Sequence, residues 1–298
     1  MAWTEHNIPD QSGRTVVITG ANSGLGKRAA TVLSAKGARV VLACRDPERG
    51  AATAAEVGGE LVTLDVADLS SVRAAARRIR ESCADRVDVL INNAGVTMRP
   101  LRRTVDGFES IFGTNHLGHA ALTWQLMPAL RDRVVTVSSI AHRGNGLDLD
   151  DPNFERRPYR MNQAYSQSKL ANLVFTLELD RRLREAGSPV RSIAAHPGMT
   201  DTELFPNAMR TRGKLALRAS RVLNKLITQS TEQGTLPLLY AAAADEAEGG
   251  AYYGPGAPLE IAGKVSTAKA TATARDRSVG ARLWAVTAEL TGVTPDPA

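Results

Sequence analysis

The chain has 298 residues, 43% hydrophobic and 23% charged, which fits one large α/β domain or two smaller ones with an ordinary buried core. It has no run of about 18 apolar residues, so no membrane span is expected; residues 1–6 also lack the basic and apolar regions of a secretory signal. The net charge of +6 is local: residues 204–231 hold Arg210, Arg212, Lys214, Arg218, Arg221 and Lys225 and no acid, so the near-neutral remainder excludes a nucleic-acid-binding composition.

Strand and helix signals alternate along the chain. The β-branched run at 16–19 predicts a strand, and an Ala-rich helix is predicted over 24–36. Between them lies Thr19-Gly20-Ala21-Asn22-Ser23-Gly24-Leu25-Gly26. A strand, a glycine turn and a helix in that order make a phosphate cradle. Gly20 permits the tight turn, and Gly24 and Gly26 keep Cβ atoms out of the way of a pyrophosphate and the strand. The helix N-terminus then offers free N–H groups and a positive dipole end. Asn22, Ser23 and Leu25 lie inside the turn and join the expected cofactor-binding set. The motif is not a Walker A loop, because five residues separate Gly20 from Gly26 and Lys27 is followed by Arg28.

Further along, strands are predicted at 39–43, 61–64, 87–91, 134–137 and 190–194. Helices are predicted at 47–57, with Pro47 near its first position and Asp46 as cap, and at 69–83, capped near Asp68. A long helix is expected within 107–130 and another at 163–185. The strands read as continuous apolar runs, so both faces are covered, and the alternation predicts right-handed βαβ crossovers. The expected fold is one α/β domain over residues 1–298: a Rossmann fold with a doubly wound, seven-stranded, mostly parallel sheet. Residues 141–162 and 201–230 break the alternation. Both insertions are expected at the carboxyl ends of strands, as walls of a substrate site. Beyond Gly254 the tail reads as irregular until a final helix at 277–290. Cys44 and Cys83 form no motif, which fits free thiols in a reducing cytoplasm.

Several residues carry possible chemistry. Arg45 stands just past the second strand, where a dinucleotide fold that binds NAD usually places an acid for the ribose hydroxyls. A guanidinium there can clamp a ribose 2′-phosphate, which favours NADP(H) over NAD(H); an exposed arginine flanking a helix is the alternative. Tyr165 and Lys169 are four apart and share a helix face. An ammonium beside a phenol favours phenolate and lowers its pKa, suiting Tyr165 to exchange a proton with a carbonyl or alcohol oxygen. The pair alone also fits a solvated helix face. Ser138-Ser139 ends a predicted strand with two hydroxyls that could bond a reacting oxygen or cap a turn. Ile91-Asn92-Asn93-Ala94-Gly95 ends another strand with residues small enough for a cofactor to pass close. Asn115 is a poor helix former inside a predicted helix, suited to bend it or hold a water. His116, His119, His142 and His196 have no trusted metal-ligand spacing, and no metal is expected. Lys214, Arg218, Arg221 and Lys225 recur at helical spacing beside Leu215, Val222, Leu223 and Leu226. This basic amphipathic helix fits a lid over the site or a peripheral membrane contact.

In this order, the glycine motif, Asn92 to Gly95, Asn115, Ser139, Tyr165-x-x-x-Lys169 and Pro197-Gly198 resemble the short-chain dehydrogenase/reductase family, over nearly the whole chain. The resemblance implies an NAD(P)-dependent oxidoreductase acting on carbonyl and alcohol groups of a small molecule. Asn115, Ser139, Tyr165 and Lys169 would form the catalytic tetrad. Ser139 is preferred to Ser138 because the second serine of the pair matches the family position. Asp65, with Val66 beside it, would meet the adenine, and Asn92, Ala94, Gly95, Pro197 and Gly198 would line the cofactor. Thr202 would contact the nicotinamide amide. Homo-oligomers occur in the family. Ala43-Cys44-Arg45-Asp46, Thr114-Asn115-His116-Leu117-Gly118-His119 and Ser166-Gln167-Ser168-Lys169-Leu170-Ala171-Asn172 are similar to the retinol dehydrogenase-like branch. The 26-residue step from Ser139 to Tyr165 matches a similar insertion in that branch. The membrane-anchoring N-terminus of vertebrate members is not apparent, so retinoid activity does not carry over. A nucleotide-binding regulator or scaffold of the same fold is the other class considered.

Overall fold

The computed structural model describes residues 2–97, 99–144, 146–199 and 229–297. The first half repeats a strand–helix unit: β1 (Thr15–Thr19), α1 (Gly24–Ala35), β2 (Arg39–Cys44), α2 (Pro47–Val57), β3 (Glu60–Thr63), α3 (Leu69–Ser82) and β4 (Val87–Asn92). Every residue of β1 and β4 is buried, as the continuous apolar runs require. Asp46 caps α2 by accepting from Arg49 N at 3.0 Å. Asp68 caps α3 by accepting from Ser70 N at 2.8 Å and Ser71 N at 3.2 Å.

After β4 come α4 (Ser110–Phe112), a π-helical turn (Gly113–Leu117), α5 (Gly118–Leu126) and β5 (Leu130–Val137). The continuous helix expected here is therefore interrupted. Asn115 lies inside the wider turn and bonds backbone outside the helix, while Gly113 and Gly118 let the turn press against its neighbours. A Cβ on Gly118 would lie 1.9 Å from Val66 O, so that position admits only glycine.

α6 (Met161–Glu185), β6 (Arg191–Ala195), α7 (Thr231–Ala243), β7 (Tyr252–Pro255), β8 (Val265–Thr267), the short α8 (Ala272–Arg275) and α9 (Arg277–Thr291) complete the chain. One sheet runs in the order β3-β2-β1-β4-β5-β6-β7-β8. Pairing is parallel from β3 to β7, and only β7–β8 is antiparallel. The α/β doubly wound fold is as expected, but the sheet has eight strands, not seven. The eighth is three residues long, polar and half-exposed, so it leaves no apolar run in the sequence.

Strand side chains alternate between two cores. One face sends Val17, Val41, Leu90 and Val134 against α3, α5 and α6. The other sends Val16, Ile18, Leu42 and Ile91 against α1, α2 and α7. α9 closes the first core. Trp284 stacks on Phe175 at 5.4 Å between ring centroids, meets Trp124 edge-on at 4.9 Å and lies under the Arg182 guanidinium at 4.7 Å. The strand order reverses between β1 and β4, which opens a crevice at their carboxyl ends.

Candidate active site

The glycine turn occupies that crevice. Gly20 and Gly24 adopt φ of 66° and 53°, the left-handed region that favours glycine. Gly20 N donates to Ala43 O at 2.8 Å, tying the turn to β2. A Cβ on Gly26 would lie 2.5 Å from Asn93 Nδ2 and 2.6 Å from Gly20 O. Ser23 stands at the N-cap of α1, yet its side chain makes no capping bond, unlike Asp46 and Asp68. The first N–H groups of α1 thus remain open to an anion. Asn22 is half-buried, Ser23 and Gly24 are exposed, and Leu25 packs partly on the second core.

Asn93, one of the two amides in the Ile91–Gly95 run, braces the turn by donating from Nδ2 to Thr19 O at 2.8 Å. Thr19 Oγ1 in turn accepts from Asn93 N and Ala94 N, each at 2.9 Å. The Asn92 side chain faces inward, donating from Nδ2 to Thr123 Oγ1 at 2.9 Å. It ties β4 to α5. At the end of β3, Asp65 accepts from Ala67 N at 2.9 Å, and Val66 is buried against Gly118. Arg45 is exposed past β2, and no acid pairs with it among the described residues.

Four predicted residues meet at the ends of β4 and β5. Asn115 Oδ1 accepts from Val96 N at 2.8 Å, and its Nδ2 donates to Val96 O at 3.0 Å and Ser168 Oγ at 2.9 Å. This clamps the chain just past Gly95, where a Cβ would lie 3.3 Å from Asn115 Oδ1 and 3.8 Å from Lys169 Nζ. Ser139 caps a short turn after β5, its Oγ accepting from Ala141 N at 3.2 Å, and its hydroxyl pairs with that of Tyr165. Ser138 is buried and donates to Lys169 O at 2.8 Å, so of the two serines only Ser139 faces the tyrosine.

Lys169 is buried and donates from Nζ to Val137 O at 3.0 Å. It has no carboxylate partner among the described residues, and burial pulls its pKa down to about 8. Its ammonium lies 5.9 Å from the Tyr165 ring centroid. Burial raises the Tyr165 phenol above its ordinary value, and the Ser139 hydroxyl bond opposes that rise. In this state desolvation dominates, and what opposes it is the Ser139 hydroxyl rather than the Lys169 ammonium that the sequence suggested.

Part of the segment 141–162 packs beside Tyr165. Asp151 accepts from Glu155 N at 2.7 Å and from Arg156 N and Arg157 N at 3.1 Å, folding the loop back on itself. Phe154 and Tyr159 then join Val96, Ile111, Ala164 and Tyr165 in an apolar patch. Opposite, Gly198 adopts φ of 68° and Met199 N donates to Ile261 O at 2.9 Å, which fixes Pro197 and Gly198 beside β7. Thr202 and the basic segment at 214–227 lie outside the described residues.

The histidines hold structure. His119 bridges Thr19 Oγ1 at 2.9 Å and Asn115 O at 3.1 Å. His116 meets Thr287 Oγ1 at 2.9 Å, and His142 meets Ser139 O at 2.7 Å. Burial pulls His119 down to about 4 and His116 to about 3, so both are neutral near pH 7. Glu260, absent from the sequence reading, joins the site's two sides. Its carboxylate takes Arg143, Lys269 N at 3.0 Å and His196 Nε2 at 3.3 Å.

Residues 14–213 match the family model described as short chain dehydrogenase. The chain belongs to the short-chain dehydrogenase/reductase family. Human retinol dehydrogenase 13 is 39% identical over 296 residues, covering 94% of this chain and 85% of its own length. Mouse polyprenol dehydrogenase is 40% identical, covering 96% and 86%. Among solved structures, an uncharacterized protein from Mycobacterium paratuberculosis is 43% identical with a TM-score of 0.84, covering 98% of each chain. The family member described here therefore sits in the retinol dehydrogenase-like branch and is an NAD(P)-dependent oxidoreductase of alcohol and carbonyl groups. No helix among its described residues is long and apolar enough to cross a membrane.

Proposed function

We propose that this family member catalyses NADP(H)-dependent hydride transfer between an alcohol and its carbonyl, with Tyr165 as the proton donor and acceptor. The observation that carries this reading is the meeting of Ser139, Tyr165, Lys169 and Asn115 around Gly95, next to an uncapped helix N-terminus. The residues fit a dinucleotide. The open N–H groups of α1 suit its pyrophosphate, the small residues Ala94 and Gly95 leave room for its sugars, and the unpaired Lys169 ammonium suits a ribose hydroxyl. When bound, the nicotinamide supplies or accepts the hydride.

The chain's own residues manage the proton. In reduction, the Tyr165 hydroxyl donates its proton to the carbonyl oxygen as negative charge develops there, and the Ser139 hydroxyl donates a second hydrogen bond to the same oxygen. Lys169, charged below about pH 8, stabilises the phenolate left behind. Asn115 acts through Val96 and Ser168, holding the strand end and α6 at fixed separation.

Arg45 supports NADP(H) over NAD(H), since no acid occupies the end of β2 to hold an unphosphorylated ribose. The patch of Val96, Ile111, Phe154 and Tyr159 supports a lipophilic aldehyde, ketone or alcohol as substrate. Buried free Cys44 and Cys83 support a reducing, cytoplasmic setting.

The test is oxidation of NADPH and NADH, side by side, across a panel of aldehydes and ketones, repeated with Tyr165→Phe. Turnover with NADPH preferred is expected. The variant should lose about a hundred- to ten-thousandfold in rate while binding NADPH normally. Full activity in the variant would remove Tyr165 from the mechanism.

A further inference from the structure

Val137 ends β5, and the sheet leaves its carbonyl oxygen without a strand partner. Ser138 N donates to Ala195 O at 2.8 Å on the β6 side, so the preceding carbonyl, Val137 O, points toward β4. The pairing of β4 with β5 stops one residue earlier, at Asn92 and Thr136. Two side chains one helical turn apart on α6 take the place of the missing strand. Lys169 Nζ donates to Val137 O at 3.0 Å and Asn172 Nδ2 donates to it at 3.1 Å.

The two donors are held differently. Asn172 is buried and tied at its other end: its side chain also bonds His116, whose Nε2 meets Thr287 Oγ1 of α9 at 2.9 Å. Val137 O can only accept, so the amide turns its NH2 group to that oxygen and its own oxygen to His116. Lys169 has no second hydrogen-bond partner among the described residues, although an ammonium carries three donors. Its Nζ stands at the crevice, 3.8 Å from where a Cβ on Gly95 would lie. The carbonyl thus has both acceptor positions filled, while the ammonium uses one donor of three. A buried carbonyl that loses its last donor carries the full desolvation penalty, and that penalty would oppose any movement of the lysine. With the amide in place, the ammonium can leave Val137 O without stranding it.

We propose that Asn172 is a positioning residue for Lys169: it keeps Val137 O bonded, so that the ammonium is free to turn from that carbonyl to a ribose hydroxyl when the nucleotide enters. The inference rests on the reading of Lys169 as the ribose ligand and adds the residue that releases it. In this role Asn172 touches neither nucleotide nor substrate and acts through one carbonyl oxygen. Leucine has the same branched shape as asparagine, with no donor or acceptor. In Asn172→Leu the lysine becomes the sole side-chain donor to Val137 O, and binding a nucleotide would break that bond with nothing to replace it.

The test is calorimetric binding of NADPH and of NADH to wild type, Asn172→Leu, Lys169→Met and the double variant, with the nucleotide that wild type binds more tightly as the reporter. Asn172→Leu should weaken it by about ten- to a hundredfold. In the Lys169→Met background the same substitution should change affinity by less than about twofold, since no ammonium then has to leave the carbonyl. A merely structural asparagine would cost the same in both backgrounds, and that result, or no loss in Asn172→Leu, overturns the proposal. If Lys169→Met alone still weakens binding, the ribose reading of Lys169 survives that failure. If Lys169→Met binds as tightly as wild type, that reading falls and the proposal with it. A second measurement needs no variant. Hydrogen exchange of the Asn172 side-chain amide, followed by nuclear magnetic resonance, should be slow both without nucleotide and with it. Loss of that protection on binding would show that Asn172 leaves Val137 O together with the lysine, which also overturns the proposal.

Discussion

Replacing Lys169 by methionine should stabilise the fold at neutral pH while abolishing turnover. In the folded chain burial places the Lys169 pKa at about 8, against about 10.5 for a solvated lysine. Below pH 8 the folded state therefore carries a buried ammonium at a cost of roughly 3 kcal/mol relative to water, an upper figure given the 3.0 Å bond to Val137 O. Methionine keeps the length of the side chain and removes the charge. Val137 O keeps a donor, because Asn172 Nδ2 also reaches it at 3.1 Å. The sign is set by proton counting. Between about pH 8 and 10.5 the unfolded chain holds the lysine proton and the folded chain does not, so wild-type stability gains from this group as pH rises. The variant lacks that gain. Urea unfolding at pH 7 and at pH 9.5 measures both proteins. The expected result is a variant about 1–3 kcal/mol more stable at pH 7, with the gap shrinking as pH rises. A variant less stable at pH 7, or a gap independent of pH, would refute the desolvation argument and with it the picture of Lys169 as an unpaired buried cation.

Three further outcomes are expected. Gly118→Ala should destabilise by about 3 kcal/mol or fail to fold, because its Cβ would meet Val66 O; chemical denaturation measures the loss, and a mild effect would show that the π-helical turn can shift. Trp284→Ala should cost about 3–5 kcal/mol through lost packing on Phe175 and Trp124, while NADPH affinity of the folded fraction stays unchanged. Wild-type stability should fall as pH drops from about 6.5 toward 4, because unfolded histidines take up protons that buried His119 refuses; His119→Gln should flatten that slope in pH-dependent unfolding, and an unaltered slope would assign the loss to other groups.

The inner strands were legible in the sequence because burial on both faces leaves continuous apolar runs such as Val16 to Ile18. The glycine turn was legible because backbone geometry there excludes a Cβ. What escaped was set by contacts distant in sequence. β8 is short and polar and gains its place by pairing with β7, so no local pattern announces it. That one of the two amides at 92–93 would satisfy backbone was legible, but which one was not: Asn93 and Asn92 differ by one residue of strand alternation, which sequence alone assigns only when the register is known. Of the candidate site, Tyr165, Lys169, Ser139 and Asn115 could be named because their order along the chain resembles that of the family; spacing alone left each of them a structural alternative. The direction of the Tyr165 shift could not, since it depends on how deeply α6 buries the phenol and how far Lys169 reaches toward Val137. Glu260 was invisible for the same reason, being brought to His196 and Arg143 by a turn whose Leu259 and Glu260 take φ of 62° and 58°.

The packing of α9 over α5 and α6 has a bearing on how the chain is made. Trp124 and Phe175 belong to helices that leave the ribosome well before residues 277–291 exist. Until that last helix arrives, an aromatic stripe that ends fully enclosed lies open to solvent and to other nascent chains. β7 and β8 are also late, so the sheet edge at β6 waits unpaired over the same interval. Synthesis at about 5–20 residues per second keeps both surfaces exposed for several seconds. Yield during expression should thus depend on chaperone capacity and growth temperature more steeply than the finished protein's stability would suggest, and substitutions in α9 should lower yield before they alter the purified enzyme.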